Sequence, residues 1–204
     1  MSISSHSDAT FNNYTSTFIH SPFDYSKILS KQTYDVLRDI AIAKSAPFGA
    51  FFLSLLTTIN YIAGCAKSKV QMTASANGWS INLNTYAIFI GPPSGGKTPT
   101  IKAAIMEPLK CLRSDHYRNS IKGRMTMAAL ADVLADKDQE HNCYMVNSEI
   151  SETLSRHVES SSKKSNGDLA LLNQVYSGED VVNGFTTRNN QSIPDDATLC
   201  ILGG

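Results

Sequence analysis

The sequence predicts an α/β fold with a mostly parallel sheet flanked by helices, and three apolar runs carry this prediction. Tyr86–Ile90, Cys143–Val146 and Ala197–Leu202 are short, rich in large apolar residues, and typical of buried strands. Between these runs, apolar residues recur at helical spacing. Strands that alternate with helical patterns indicate a parallel sheet whose connections are helices.

The length, charge and cysteine content limit the classes of protein to which the chain could belong. The chain has 204 residues, enough for one domain of ordinary size with its own core. Lys and Arg total 18, as do Asp and Glu, so zero net charge argues against a strongly basic nucleic-acid-binding domain and leaves a local patch open. The four cysteines lack the spacing of a zinc site. Because Cys143 and Cys200 lie in apolar runs, we expect buried thiols at these two positions. Unpaired thiols favour a reducing intracellular setting, cytoplasm or nucleus.

The N-terminal part divides into a polar arm and an apolar region. Residues 1–25 are polar with scattered aromatics, so we expect a disordered arm followed by one domain, 26–204. Residues 30–43 have helical spacing. Phe48–Cys65 is the most hydrophobic segment, and its length approaches that of a membrane span. Because Ser, Thr and Asn interrupt it, we favour a buried core helix without membrane contact, the alternative being a membrane helix.

A hairpin precedes the first buried strand. Lys69–Ala74 and Trp79–Asn84 predict short strands, and the turn signal Ser75–Gly78 lies between them. The hairpin then leads directly into Tyr86–Ile90. We therefore divide the domain into N-terminal helices and a hairpin, 26–85, and a core, 86–204.

The strand Tyr86–Ile90 runs into the complete pattern of a phosphate-binding P-loop, namely Gly91, Pro92, Pro93, Ser94, Gly95, Gly96, Lys97 and Thr98. The glycines let backbone N–H groups converge on phosphate oxygens, and the following helix adds positive potential at its first turn. Lys97 would reach the outer phosphates as a catalytic charge, and the Thr98 hydroxyl would bind Mg²⁺. The pattern therefore predicts a nucleotide-binding core. The alternative is a glycine-rich surface turn.

Pro99 follows this pattern directly. Proline is well tolerated in the first turn of a helix, where N–H groups have no intrahelical partner. We therefore expect the helix to form and one backbone contact to phosphate to be lost.

Beyond the glycine-rich segment, helical patterns alternate with strand patterns. Thr100–Leu112 has an apolar face, and Thr126 is a suitable N-cap for a helix that begins at Met127. Asp168–Tyr176 again has helical spacing. Ser177–Arg188 predicts a hairpin with turns at its two glycines.

The strand Cys143–Val146 ends in polar residues, where a Walker B acid belongs. The usual form is an apolar run followed by Asp-Glu, and here Ser148 and Glu149 take those two positions. Glu149 would orient and deprotonate an attacking water, whereas Ser148 would hold a magnesium-bound water only weakly because it carries no charge. The alternative is that these residues form the acidic start of the next helix.

The order of these elements resembles a P-loop ATPase family of poorly defined function. Its members occur beside or fused to primase and helicase modules in phage, plasmid and other mobile-element proteins. The resemblance covers residues 45–204, and it rests on the apolar helix, the hairpin, Gly91–Pro99, the Met127 helix, Ser148-Glu149, Val175–Glu179, Arg188 and Leu199–Gly204. Members usually have Asp at the position of Ser148, and they continue beyond the Gly-Gly pair. We therefore expect a core that is incomplete at its C-terminus.

The resemblance implies a fold, a function and ligands. In RecA-like and AAA-like ATPases, the strand equivalent to Leu199–Leu202 lies between the P-loop strand and the Walker B strand, and nucleotide binds at the carboxyl ends. The implied function is ATP binding and hydrolysis, with Mg²⁺, in a replication, helicase–primase or mobile-element protein acting on DNA. One alternative is a nucleotide-sensing scaffold with little or no hydrolysis, which Ser148 favours. The other is a small-molecule kinase, for which no arginine-rich lid is evident.

The resemblance also implies partners. A ring of identical subunits is expected among such ATPases, in addition to DNA or a primase or helicase module. In a ring, Arg188 would reach the γ-phosphate of the neighbouring subunit as a catalytic arginine. A surface arginine, or a contact to nucleic-acid phosphate, remains as the alternative.

Overall fold

The computed structural model describes residues 23–71, 80–90, 95–112, 117, 119, 121–147, 150, 165–183 and 191–204. The chain divides into two compact units, with the boundary between Asp39 and Ile40. Helix α1, Lys31–Ala43, contributes residues to both and confirms the helix predicted there. In the smaller unit, Asp24 caps a 3-10 turn, Tyr25–Lys27, by accepting a hydrogen bond from the backbone of Ser26.

Eight strands form three sheets among the described residues of the larger unit. In chain order they are β1 (Lys69–Gln71), β2 (Ser80–Asn82), β3 (Thr85–Ile88), β4 (Ile121–Lys122), β5 (Asn142–Asn147), β6 (Val181–Asn183), β7 (Gln191–Ile193) and β8 (Thr198–Gly203). The central sheet has the order β3-β8-β5-β4, and all of its pairs are parallel. The α/β prediction is therefore confirmed, and β8 lies between β3 and β5 as expected.

The described part of this unit contains a 3-10 turn, Lys137–Gln139, and four longer helices. The longer helices are α2 (Phe48–Cys65), α3 (97–111), α4 (Met127–Ala135) and α5 (Ser165–Ser177). α3 is continuous but irregular, because a π-helical turn, Lys102–Met106, separates its two α-helical parts, Lys97–Ile101 and Glu107–Cys111. The helix predicted after the glycine-rich segment is confirmed.

α2 packs on one face of the central sheet, and α3 packs against α2. Gly64 lies so close to β8 that an added Cβ would be 2.5 Å from Cγ2 of Thr198. The Thr58 hydroxyl of α2 lies 3.2 Å from the hydroxyl of Tyr144 on β5. Of the described helices, α2 alone is long and apolar enough to cross a membrane by length and composition. One side of α2 packs on the sheet, and Leu56 and Ile59 on the helix are exposed.

The π-helical turn in α3 has a chemical cause in Pro108. In a regular α-helix the carbonyl of Ala104 would accept a hydrogen bond from residue 108, but proline has no N–H. Thr58 compensates from the neighbouring helix, since its hydroxyl lies 3.1 Å from the carbonyl oxygen of Ala104 and 2.9 Å from that of Ser54. Helices bend or widen at such positions because one ladder bond is missing.

The other face of the sheet carries an apolar core of buried residues. It includes α4, α5 and the antiparallel hairpin β6–β7, and its buried residues are Met127, Leu130, Ala131, Leu134, Cys143, Met145, Ile150, Leu171, Val175, Val181, Ile193, Ala197, Leu199 and Ile201. Thr126 caps α4 as predicted, because its hydroxyl accepts a hydrogen bond from the backbone N–H of Ala129 at 3.2 Å. Alternate residues of β5 and β8 therefore pack against the helices on opposite faces of the sheet.

Two details differ from the sequence predictions. The hairpin predicted over Ser177–Arg188 is right for β6 and wrong for the return strand, because β7 begins at Gln191, beyond the predicted end. Within β7, the side chain of Ile193 is fully buried, so this residue is the apolar position of the strand that faces the core. The strand β4 was not predicted, because two residues are too few to show a pattern. The hairpin β1–β2 is confirmed, and its turn lies outside the described residues.

Two of the thiols are fully buried in the central strands, as predicted. Cys143 belongs to the core beneath α4, whereas Cys200 lies opposite Thr85 and Tyr144 and faces the α2 layer. Burial removes the thiolate from water and raises the pKa of each thiol to about 12. Cys111, at the end of α3, is exposed.

Candidate functional site

Three parallel strands end together at the start of α3. The backbone N–H of Phe89, just after β3, donates to the carbonyl of Gly203 at 2.7 Å. On the other side, the N–H of Gly204 donates to the carbonyl of Asn147 at 3.1 Å. The carboxyl ends of β3, β8 and β5 are therefore held at one level by backbone bonds. In open α/β sheets, ligands bind outside this end of the strands.

Gly96 begins α3 in a conformation that favours glycine. Its φ of 80° lies in the left-handed region, and it occupies the N-cap position without a side-chain hydrogen bond. An added Cβ would also lie 2.7 Å from Cδ of Pro47, which precedes α2. The backbone here can turn tightly beneath a ligand because a side chain is missing. Pro99 lies in the first turn that follows, and the helix accommodates it as predicted.

Lys97 lies across the end of β8. An added Cβ on Gly204 would be 3.0 Å from Cδ and 3.6 Å from Cγ of Lys97, so the aliphatic part of this side chain packs on the glycine backbone. The lysine is half-buried, and the next residue, Thr98, is exposed. A half-buried lysine and an exposed hydroxyl at a helix start are groups that can bind an anion and its counter-ion.

A cavity of about 390 Å³ adjoins Lys97. It is lined by the start of α2, by the end of β3 with the two residues that follow, and by the residues around the start of α3. The described residues of its lining are Pro47, Gly49, Ala50, Leu53, Ile88, Phe89, Ile90, Gly95 and Lys97. The volume is within the range of about 300–1,000 Å³ that is usual for small-molecule sites. Gly95 and Lys97 thus belong both to the glycine-rich segment and to this cavity.

The structure brings together four of the predicted site residues. Gly95, Gly96, Lys97 and Thr98 lie at the start of α3. Seven others are outside the described residues, namely Gly91, Pro92, Pro93, Ser94, Ser148, Glu149 and Arg188. Among the described side chains, there is no cluster of three His, Cys, Asp or Glu residues that could hold a metal ion. Of the two predicted cation ligands, Thr98 is among the described residues and Ser148 is not.

Sequence reasoning missed the contribution of α2. Pro47, Ala50 and Leu53 line the cavity, although they lie more than forty residues before Lys97. The segment was interpreted as core because of its hydrophobicity. A signal was present in Pro47, since proline directly before an apolar helix marks a helix start, and glycine at position 49 leaves space there.

Comparison of the chain with protein-family models, with curated proteins and with solved structures found no match. The function is therefore argued from the residues and their geometry.

Proposed function

We propose that residues 91–98 bind ATP together with Mg²⁺, and that the chain is a P-loop ATPase module of the type its sequence resembles. One observation carries the proposal. The glycine-rich pattern follows the parallel strand β3, and its lysine packs on Gly204 at the end of the neighbouring strand β8. Phosphate-binding loops occupy this strand-to-helix position because backbone N–H groups and a helix start converge there.

The residues present fit a triphosphate. Gly96 takes the left-handed conformation, with φ of 80°, that starts the helix, and Lys97 supplies a positive charge that can reach the outer phosphates. Thr98 offers an exposed hydroxyl to the cation. Magnesium keeps several waters and takes one or two protein ligands in addition to phosphate oxygens. In this proposal Ser148 and Glu149 face that cation, Glu149 as the base for an attacking water.

The wider function follows from the resemblance and forms part of the proposal. The module acts inside the cell, in cytoplasm or nucleus, within a replication, helicase–primase or mobile-element protein that works on DNA. A ring of copies would bring Arg188 of one subunit to the nucleotide of the next.

Calorimetric titration of ATP with Mg²⁺ tests the site. Lys97→Ala should abolish binding or weaken it greatly, because the outer phosphates lose their positive partner. Lys102→Ala is the matched control, since Lys102 is an exposed lysine on the same helix outside the cavity lining, and its affinity should stay at the wild-type value. Equal affinities for the wild type and Lys97→Ala would overturn the assignment.

A second candidate function is a nucleotide-sensing scaffold that binds ATP without turnover. Ser148 favours it, because a serine brings no charge to a hydrated dication. Phosphate release under saturating ATP separates the two functions. If Ser148 takes the Walker B position, Ser148→Asp should strengthen Mg²⁺-dependent binding or raise turnover. Should neither change, the acid is misassigned, and Glu149 or Asn147 must be tested in the same way.

Arg188 has its own test within this proposal. Arg188→Ala should lower turnover while ATP affinity is retained, if the arginine acts on a neighbouring subunit. Loss of DNA binding with unchanged turnover would instead indicate a contact to nucleic-acid phosphate. A variant that changes neither property would show a surface arginine.

A further inference from the structure

A cationic side chain follows β4, the strand at the opposite side of the central sheet from β3. β4 pairs in parallel with β5, and its residue Lys122 lies opposite Met145. Arg124 comes two residues after Lys122, just as Asn147 comes two residues after Met145. Because the strands are parallel, Arg124 follows β4 at the carboxyl end of the sheet, where the candidate phosphate site lies.

Backbone contacts connect this end of β5 to Lys97. The carbonyl of Asn147 accepts a hydrogen bond from the N–H of Gly204, and the Cδ of Lys97 would lie 3.0 Å from a Cβ added to Gly204. Lys97 is therefore level with the end of β8, and β4 is two strands away from β8. Two strand spacings amount to about 10 Å. Lysine and arginine have long side chains, so a pair at this separation can contact one phosphate group from two sides.

The surroundings of Arg124 suit a ligand contact. Arg124 is exposed, and it is the one arginine that the described part of the larger unit contains. Beside it, no atom lies within 4 Å of a Cβ added to Gly123. Two residues later Thr126 caps α4, and the start of a helix favours anions over cations. The stability of α4 therefore does not explain a positive charge here, whereas a phosphate ligand at this end of the sheet does.

We propose that Arg124 binds the outermost phosphate of the nucleotide in the same subunit, on the side opposite Lys97. The inference deepens the proposed function and rests on it, because Lys97 must hold the nucleotide at the end of β8. A guanidinium group binds phosphate through two parallel hydrogen bonds, and such charged bonds are about twice as strong as neutral ones. ADP lacks the outermost phosphate. Arg124 therefore makes the site prefer ATP to ADP.

Calorimetric titrations of ATP and ADP, each with Mg²⁺, test the preference. Arg124→Ala should weaken ATP binding by about tenfold or more and change ADP affinity by less than about twofold. Arg124→Lys keeps the charge and loses the planar pair of donors, so its ATP affinity should fall between those of the wild type and Arg124→Ala. Lys122→Ala is the matched control, because Lys122 is a cation of the same strand whose ammonium donates to the carbonyl of Asn119 at 2.9 Å. Its preference for ATP should stay at the wild-type value.

Circular dichroism checks the fold of each variant, and Arg124→Gln replaces Arg124→Ala if the alanine variant does not fold. Equal weakening of ATP and ADP, or no change in either, would overturn the proposal. Loss of binding to a fluorescent single-stranded oligonucleotide with the ATP preference intact would also overturn it, and would assign Arg124 to nucleic-acid phosphate. In each case the proposed function still stands if Lys97→Ala removes ATP binding. If Lys97→Ala keeps full ATP affinity, the proposed function fails, and this inference fails with it.

Discussion

The two ends of the central sheet are built differently. At the amino end, side chains join the elements. Buried Asn84 donates to the carbonyl of Val175 at 2.7 Å and accepts from the N–H of Leu199 at 2.9 Å. Lys67, at the end of α2, donates to the carbonyls of Glu140 and Asp196, each at 3.1 Å. At the carboxyl end, the described elements are joined by backbone hydrogen bonds and by close contacts at glycines.

This difference predicts which substitutions reduce stability alone and which reduce ligand binding as well. Side-chain hydrogen bonds at the amino end fix β3, β8, α2 and α5 to one another. Among the described residues of the carboxyl end, backbone bonds keep the strands level, and Gly96 and Gly204 admit the close approach of Pro47 and Lys97. The polar groups of the amino end should therefore govern unfolding, and the glycines of the carboxyl end should govern binding as well.

The largest expected effect is at the amino end, with Asn84→Ala. It leaves a buried N–H and a buried carbonyl without their partner, and each such loss costs about 1–3 kcal/mol. The free energy of unfolding should fall by about 2–5 kcal/mol in urea denaturation, with ATP affinity unchanged in the folded fraction. Asn82→Ala is the control, since Asn82 makes one exposed hydrogen bond, to the carbonyl of Asp195 at 2.6 Å. Equal losses in the two variants would contradict this view.

At the carboxyl end, Gly203→Ala should follow in magnitude. An added Cβ would run into the side chain of Ile150, and overpacking of this kind costs about 1–3 kcal/mol. Gly123→Ala is the control, because nothing lies within 4 Å of an added Cβ at that position. Thermal denaturation of the pair checks the prediction. A melting temperature that is as high in Gly203→Ala as in Gly123→Ala would show that Ile150 moves aside freely.

Gly96→Ala should reduce stability somewhat less and reduce binding as well. Placing a Cβ on a residue with positive φ costs about 1–2 kcal/mol. Under the proposed function, ATP affinity should also fall, because the start of α3 must shift away from Pro47. Combined urea denaturation and calorimetry check both properties. Loss of stability with full ATP affinity would place phosphate binding elsewhere.

Lys67→Ala should have the smallest effect, although Lys67 contacts three groups at the amino end. Its ion pair with Asp196 spans 3.6 Å, and both side chains are more than one-third exposed. Exposed pairs contribute about 0–1 kcal/mol and weaken with salt. Denaturation at low and high salt should therefore show a loss below about 1 kcal/mol that shrinks in high salt. A larger loss, independent of salt, would mean that the carbonyl contacts dominate.

The sequence predicted β3, β5, β8 and the helices, because long apolar runs and Thr126 are strong local signals. The place of β8 in the sheet was expected from the resemblance alone. It did not predict β4 or the position of β7, since two or three residues with a single buried side chain show no periodicity. The cavity could not be predicted, because its walls come from segments far apart in the chain. How closely α2 packs on the sheet depends on the close approach of Gly64 to Thr198. No local sequence pattern reveals this contact.

Alkylation of the two buried thiols can report when the helices on each face separate from the central sheet. Both thiols are fully buried, and burial raises the pKa of each, so neither reacts with iodoacetamide until its layer opens. Exposed Cys111 would react first. Because Cys143 lies under α4 and Cys200 under α2, peptide mass spectrometry after timed labelling reports the opening of each layer separately. The chain thus carries one natural probe on each side of its sheet.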